Sequence, residues 1–125
     1  MPHVAPMRMA LVASALLVCA VSAAPVATNP TVSFERDVRP ILKTYCFHCH
    51  GEQAELKGDL DVRLKRLMIK GGEHGAEIVP GSPEKSRLLQ MIKSGKMPKT
   101  EKKPKAEQVA IIEKWIAAGA PTLRA

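Results

Sequence analysis

Cys46-Phe47-His48-Cys49-His50 is the stretch on which the reading of this chain turns. Two cysteines separated by two residues, with a histidine directly after the second, form the C-x-x-C-H pattern that attaches a c-type haem. Each thiol adds across one vinyl group of the porphyrin, and the two-residue gap matches the separation of the two vinyls. His50 then falls under the iron and offers an imidazole nitrogen as proximal ligand. Three other readings compete with this one. A thioredoxin-like redox pair has the same spacing but follows a strand in a βαβ pattern, and no strand pattern precedes Cys46. A structural zinc site wants four ligands, and beyond the cysteines only His48, His50 and the distant His74 are on offer. A disulfide across so short a loop would stabilise little.

Working outward toward the N-terminus, residues 1–24 read as a signal peptide. Arg8 supplies a positive start, and Met9 to Val21 is apolar apart from Ser14. Small residues at Val21-Ser22-Ala23 and Ser22-Ala23-Ala24 suit a signal peptidase. The apolar run is too short to span a bilayer comfortably, so no stable membrane span is expected after cleavage. Cys19 makes a weak lipoprotein site, because Val18 stands where a small residue is wanted. An exported, periplasmic location agrees with the cysteine reading, since haem is attached to thiols outside the cytoplasm. Removing the leader leaves roughly a hundred residues, a domain that buries only a modest core by itself. The chain is poor in aromatics, at 3 %. That scarcity fits a core whose main flat apolar object is not a side chain.

Residues 25–32 form an extended lead-in, and the domain proper is expected over 33–121. Phe34, Val38, Ile41, Leu42 and Tyr45 fall on one face of a first helix. Ser33 or Asp37 can cap it, and Pro40 favours Asp37, because proline is tolerated in the first turn. This helix delivers the pentapeptide at its C-terminal end, with Gly51 as terminator. Asp61 can cap a short helix carrying Val62, Leu64, Leu67 and Met68, stopped by Gly71-Gly72. Ser82-Pro83 starts a third helix through Leu88, Leu89, Met91 and Ile92 to Gly95. A last helix runs from about Lys105 to Ala118 and buries Val109, Ile112, Trp115 and Ile116. The fold class is therefore all-α: about four short helices around one covalently attached haem.

Several groups of residues, in sequence order, carry a family resemblance: Phe34-x-x-Asp37-Val38-x-Pro40-Ile41-Leu42, Cys46-x-x-Cys49-His50-Gly51, Gly71-Gly72, Val79-Pro80-Gly81-x-Pro83-x-x-Ser86-x-Leu88-Leu89, Met97-Pro98 and Trp115-Ile116-x-x-Gly119-Ala120. Together, from Val32 to Pro121, they resemble the planctomycete-type cytochrome c domain, a branch of the class I cytochrome c fold. The resemblance implies one haem c, with thioether bonds at Cys46 and Cys49, His50 as proximal ligand and Met97 as distal ligand. Sequence position agrees with Met97: Met68 and Met91 belong to helical apolar faces, whereas Met97 lies on a loop before Pro98. His74 stays open as the alternative sixth ligand. His48 is expected at the surface, and Trp115 is read as core with a possible edge toward the haem. One departure from the family pattern is the run Lys99-Thr100-Glu101-Lys102-Lys103, which is strongly basic and lacks an apolar anchor.

Charge is uneven. The formal net charge is +7, and loss of Arg8 with the leader would leave +6. Six lysines between Lys93 and Lys105 stand against Glu101 alone. Nucleic acid is the generic partner of a basic run, but an exported haem domain argues for no nucleic acid. The segment is instead expected to face a redox partner with an acidic docking face, and the bland alternative is a solvated loop. No acid–base constellation accompanies the pentapeptide, so the chain is read as an electron-transfer protein rather than an enzyme. The competing reading is a haem-containing subunit of a larger redox enzyme, or a haem-based sensor with an open or displaceable sixth position.

Overall fold

The computed structural model describes residues 1–6, 9–15, 18–25 and 30–124. Among them the chain is helical without a strand, its one bridge joining Gly72 to Gly75. Four α-helices follow in order: α1 Arg39–Tyr45, α2 Lys65–Lys70, α3 Arg87–Lys93 and α4 Ala106–Ala117. A π turn, Phe34–Val38, leads into α1, and short 3-10 turns occupy Lys57–Asp59 and Pro83–Lys85. The all-α expectation with about four short helices holds for the described residues. Arg8 and half of the expected lead-in, 26–29, lie outside them. The described residues before Pro30 take no regular structure, and no helix among the described residues is long and apolar enough to cross a membrane.

The first helical run begins earlier than Pro40 suggested. Ser33, not Asp37, stands at its head in extended conformation, and the Asp37 N–H donates to the Ser33 carbonyl at 3.0 Å. Asp37 Oδ2 in return accepts the Ser33 N–H at 2.7 Å. Asp37 therefore serves the cap from inside the first turn. The widened turn explains why Pro40 did not mark the start. Arg39 N–H reaches back five residues to the Phe34 carbonyl, and that extra width makes room for the proline ring.

Phe34, Val38 and Leu42 from this run pack with Ile112, Trp115 and Ile116 of α4, all at 3 % exposure or less. The Phe34 and Trp115 rings lie 5.6 Å apart between centroids and tilt by 35°. Trp115 Nε1–H and the Phe34 N–H both donate to the Pro121 carbonyl at 2.9 Å, which ties the two ends of the domain together. Aromatic stacking of this kind adds about 0.5–1.5 kcal/mol to the area term.

Between these ends the expected helices are shorter. Asp61 caps nothing; it accepts the Arg63 N–H and pairs with its guanidinium, and α2 starts only after the extended Leu64. The third helix is split. Ser82-Pro83 begins a 3-10 turn, but Ser86 is buried and extended, with Oγ donating to the Ser82 carbonyl and accepting the Val79 N–H, each at 3.0 Å. Only α3 beyond it is α-helical. The Gly71–Gly75 turn lies hard against Gly58. A Cβ at Gly72 would sit 2.2 Å from the Gly58 carbonyl oxygen, and the Glu73 N–H donates to that oxygen at 2.9 Å. No side chain fits there, and the contact fixes where Glu73 and His74 are held.

Candidate functional site

The pentapeptide forms a compact hydrogen-bonded turn off the end of α1. Cys46 and Phe47 N–H groups both donate to the Leu42 carbonyl, and the His50 N–H returns to the Cys46 carbonyl at 2.9 Å. Phe47 is the anchor. It is 2 % exposed, with the Arg39 guanidinium 5.5 Å from its ring centroid. Burying this one residue in the core leaves its neighbours Cys46, Cys49 and His50 on the wall of an adjoining cavity.

Two cavities meet at this turn, of about 290 and 520 Å³. Each is in or close to the range of roughly 300–1,000 Å³ usual for ligand pockets. Cys46, His50, Lys57, Met97 and Lys99 line both, so these residues form the shared wall. Leu60, Val62, Leu88 and Ile92 make the smaller cavity apolar, and Tyr45, Cys49 and Pro98 extend the larger. Met97, on the loop after α3, is half-buried, and its N–H donates to the Met91 carbonyl at 3.1 Å.

The residues present fit a c-type haem. Two free thiols, an imidazole and a thioether face connected, largely apolar space. His50 Nδ1 is buried with no hydrogen-bond partner. Leaving a buried polar atom unmade costs about 1–3 kcal/mol, so the fold has left this ring's bonding capacity unused. The zinc alternative finds no ligand set: among the described residues no three His, Cys, Asp or Glu are grouped to hold a metal ion.

Burial sets the electrostatics. It pushes the Cys46 thiol up to about 11, with Cys49 adding a smaller push in the same direction. Glu77, 6 % exposed on the wall of the smaller cavity, is raised chiefly by burial. Arg87 opposes that rise, followed by His50 and His74; its Nε lies 3.4 Å from Glu77 Oε1.

The other sequence candidates fall as follows. His74 is exposed and lines the smaller cavity together with His50 and Met97. His48 is exposed and shares a hydrogen bond of 3.2 Å with Gln53 Nε2. Trp115 is wholly core and lines neither cavity, and α4 contributes nothing to their walls. Sequence reasoning passed over Glu77, Arg87 and Met91. Met91 was accessible in principle, since it shares a stripe with Leu88 and Ile92 and must border whatever that stripe covers. The Glu77–Arg87 pair gave no signal, because its members meet only through the turn between them.

Comparison with known proteins adds one finding. Residues 46–101 match the family model described as planctomycete cytochrome C, a stretch that holds Cys46, Cys49, His50 and Met97 and stops before α4. That is narrower than the resemblance from Val32 to Pro121. No curated protein and no solved structure matches the chain. The helical stretch that holds the C-x-x-C-H turn and lines both cavities is thus, over residues 46–101, similar to the planctomycete cytochrome C family.

Proposed function

We propose that the protein is an exported c-type cytochrome that carries single electrons. Cys46 and Cys49 hold one haem c through thioethers, His50 is the proximal ligand and Met97 the distal one. When bound, the haem supplies one-electron exchange between ferric and ferrous iron. The chain's own residues do the rest. The Phe47-anchored turn fixes the thiols and the imidazole, the apolar walls limit water, and a soft thioether favours the ferrous state. The observation that carries the reading is that Cys46, His50 and Met97 share one wall between two cavities. The exposed lysines around Met97 support a partner with an acidic docking face.

The test is protein matured with a working haem-attachment system. Denaturing electrophoresis with peroxidase staining should show haem travelling with the polypeptide, and a C46A/C49A double variant should lose it. The ferric protein should show the weak long-wavelength charge-transfer band of sulfur-ligated haem. Met97→Ala should abolish that band and His74→Ala should leave it. Absence of covalent haem would sink the cytochrome reading; a band that survives Met97→Ala would sink the ligand assignment alone.

A further inference from the structure

We propose that Lys103 is the positioning residue of the Met97 loop, clamping the two flanks of that methionine through one ammonium group. The proposal builds on Met97 as distal ligand. The loop from Lys96 to Lys105 offered no apolar anchor in its basic run, yet it is held. Lys103 Nζ donates to the Gly95 carbonyl at 3.1 Å and also to the Pro98 carbonyl. One acceptor stands two residues before Met97 and the other directly after it. A single nitrogen bonded to both fixes their separation, and with it the backbone that carries the thioether.

Lys103 differs in this from its neighbours. Lys93 pairs with Glu113 at 2.8 Å on the outer surface, and Lys102 Nζ stands 5.7 Å over the Tyr45 ring. Among the described residues of the run, Lys103 is the lysine whose ammonium bonds to backbone carbonyls. Its own position is braced from α4. Gln108 Oε1 accepts both the Lys105 N–H at 2.8 Å and the Tyr45 hydroxyl at 2.9 Å, which fastens the base of the loop to α1 and α4. On the other side Pro98 is buried and the Met97 N–H is bonded to Met91. The clamp closes the one stretch these contacts leave open. Charge-assisted bonds of this kind are stronger than neutral ones, and a guanidinium, with several donors, can span the same two carbonyls.

The experiment uses the haem-loaded protein and its Lys103→Met and Lys103→Arg variants. Two readouts are taken: amide hydrogen exchange at Met97, and the charge-transfer band followed as pH is raised. In Lys103→Met, exchange at Met97 should quicken about tenfold while Ile116 in the core stays unchanged. The band should be lost about one pH unit earlier. Lys103→Arg should stay within about threefold of the unmodified protein. Unchanged exchange at Met97 in Lys103→Met overturns the clamp, whatever ligates the iron. If the unmodified protein lacks the band but exchange still rises tenfold, the clamp stands and the Met97 ligand assignment falls.

Discussion

The amide of Val62 donates to the carbonyl of His50 across 2.9 Å. Together with the Lys57 N–H on the Cys49 carbonyl at 3.0 Å, it fastens the polar loop after the pentapeptide to the pentapeptide itself. The turn is thus held from both sides, by Leu42 before it and by Lys57 and Val62 after it. Cys46, Cys49 and His50 are therefore held against their cavity by backbone bonds on both sides of the turn.

A buried thiol held in this way has a chemical consequence. With Cys46 pushed up to about 11, little of it is thiolate near neutrality, and the thiolate is the nucleophile. In haem-free protein carrying Cys49→Ser, iodoacetamide should modify Cys46 slowly at pH 8, and about tenfold faster for each pH unit until the thiol ionises. Folding follows the same proton. The folded thiol holds it more tightly than the unfolded one, so this contribution to stability is complete below pH 9 and fades as pH rises toward 11. The loss is on the order of 2 kcal/mol. A Cys46 modified at the rate of a free thiol at pH 8, read by peptide mass spectrometry, would remove the basis for this expectation.

What was legible in the sequence followed local rules. The core stripe of Val109, Ile112, Trp115 and Ile116 placed α4 to within a residue at each end, and Gly119, at φ +91°, ends it as read. Cavity residues close to the pentapeptide were legible too, since the motif itself names them. What failed depended on side-chain bonds to nearby backbone and charges that hydrophobic periodicity does not encode. Asp61 lost its cap role because Arg63 claims its carboxylate and the Val62 N–H is already taken by His50. The third helix broke at Ser86 because its hydroxyl found Val79 and Ser82. The loop read as unanchored is tied by Lys103 to carbonyls that no pattern of side chains reveals.

The Glu77–Arg87 pair makes an asymmetric prediction. Burial raises Glu77, so its ionised form is held at a cost, present above the unfolded pKa near 4.5 and relieved as pH falls. Arg87 is a third exposed and can return to water if its partner is lost. Glu77→Gln should therefore change stability at pH 7 by less than about 1 kcal/mol. Arg87→Met, which strands a buried carboxylate, should cost about 2–4 kcal/mol. Its deficit should shrink as pH falls, because burial makes Glu77 take up its proton more readily than in the unfolded chain. Thermal denaturation of both variants at pH 5 and 7 reads this directly. Equal losses for the two, or a deficit of Arg87→Met that does not move with pH, would show that the pair is not governed by burial of the carboxylate.

The lysines around Met97 divide into two sets, and the division decides the last prediction. Lys103 is committed to the loop's own carbonyls, whereas Lys96, Lys99 and Lys102 are exposed, and Lys99 lines both cavities. Charge at the edge where electrons would leave steers an acidic partner by long-range attraction, and that attraction decays over about 10 Å at 0.1 M salt. Replacing Lys96, Lys99 and Lys102 together by Gln should lower the second-order transfer rate to an acidic redox protein about tenfold at low ionic strength. It should also flatten the dependence of that rate on salt, until the two proteins converge near 1 M, where charges more than about 3 Å apart are screened. Lys103→Arg, which keeps both the charge and the clamp, should leave the rate and its salt slope as they are. Stopped-flow rates measured across ionic strength provide the check. A slope that is flat in the unmodified protein, or unmoved by the triple substitution, would reduce the basic segment to a solvated loop held in place by its one committed lysine.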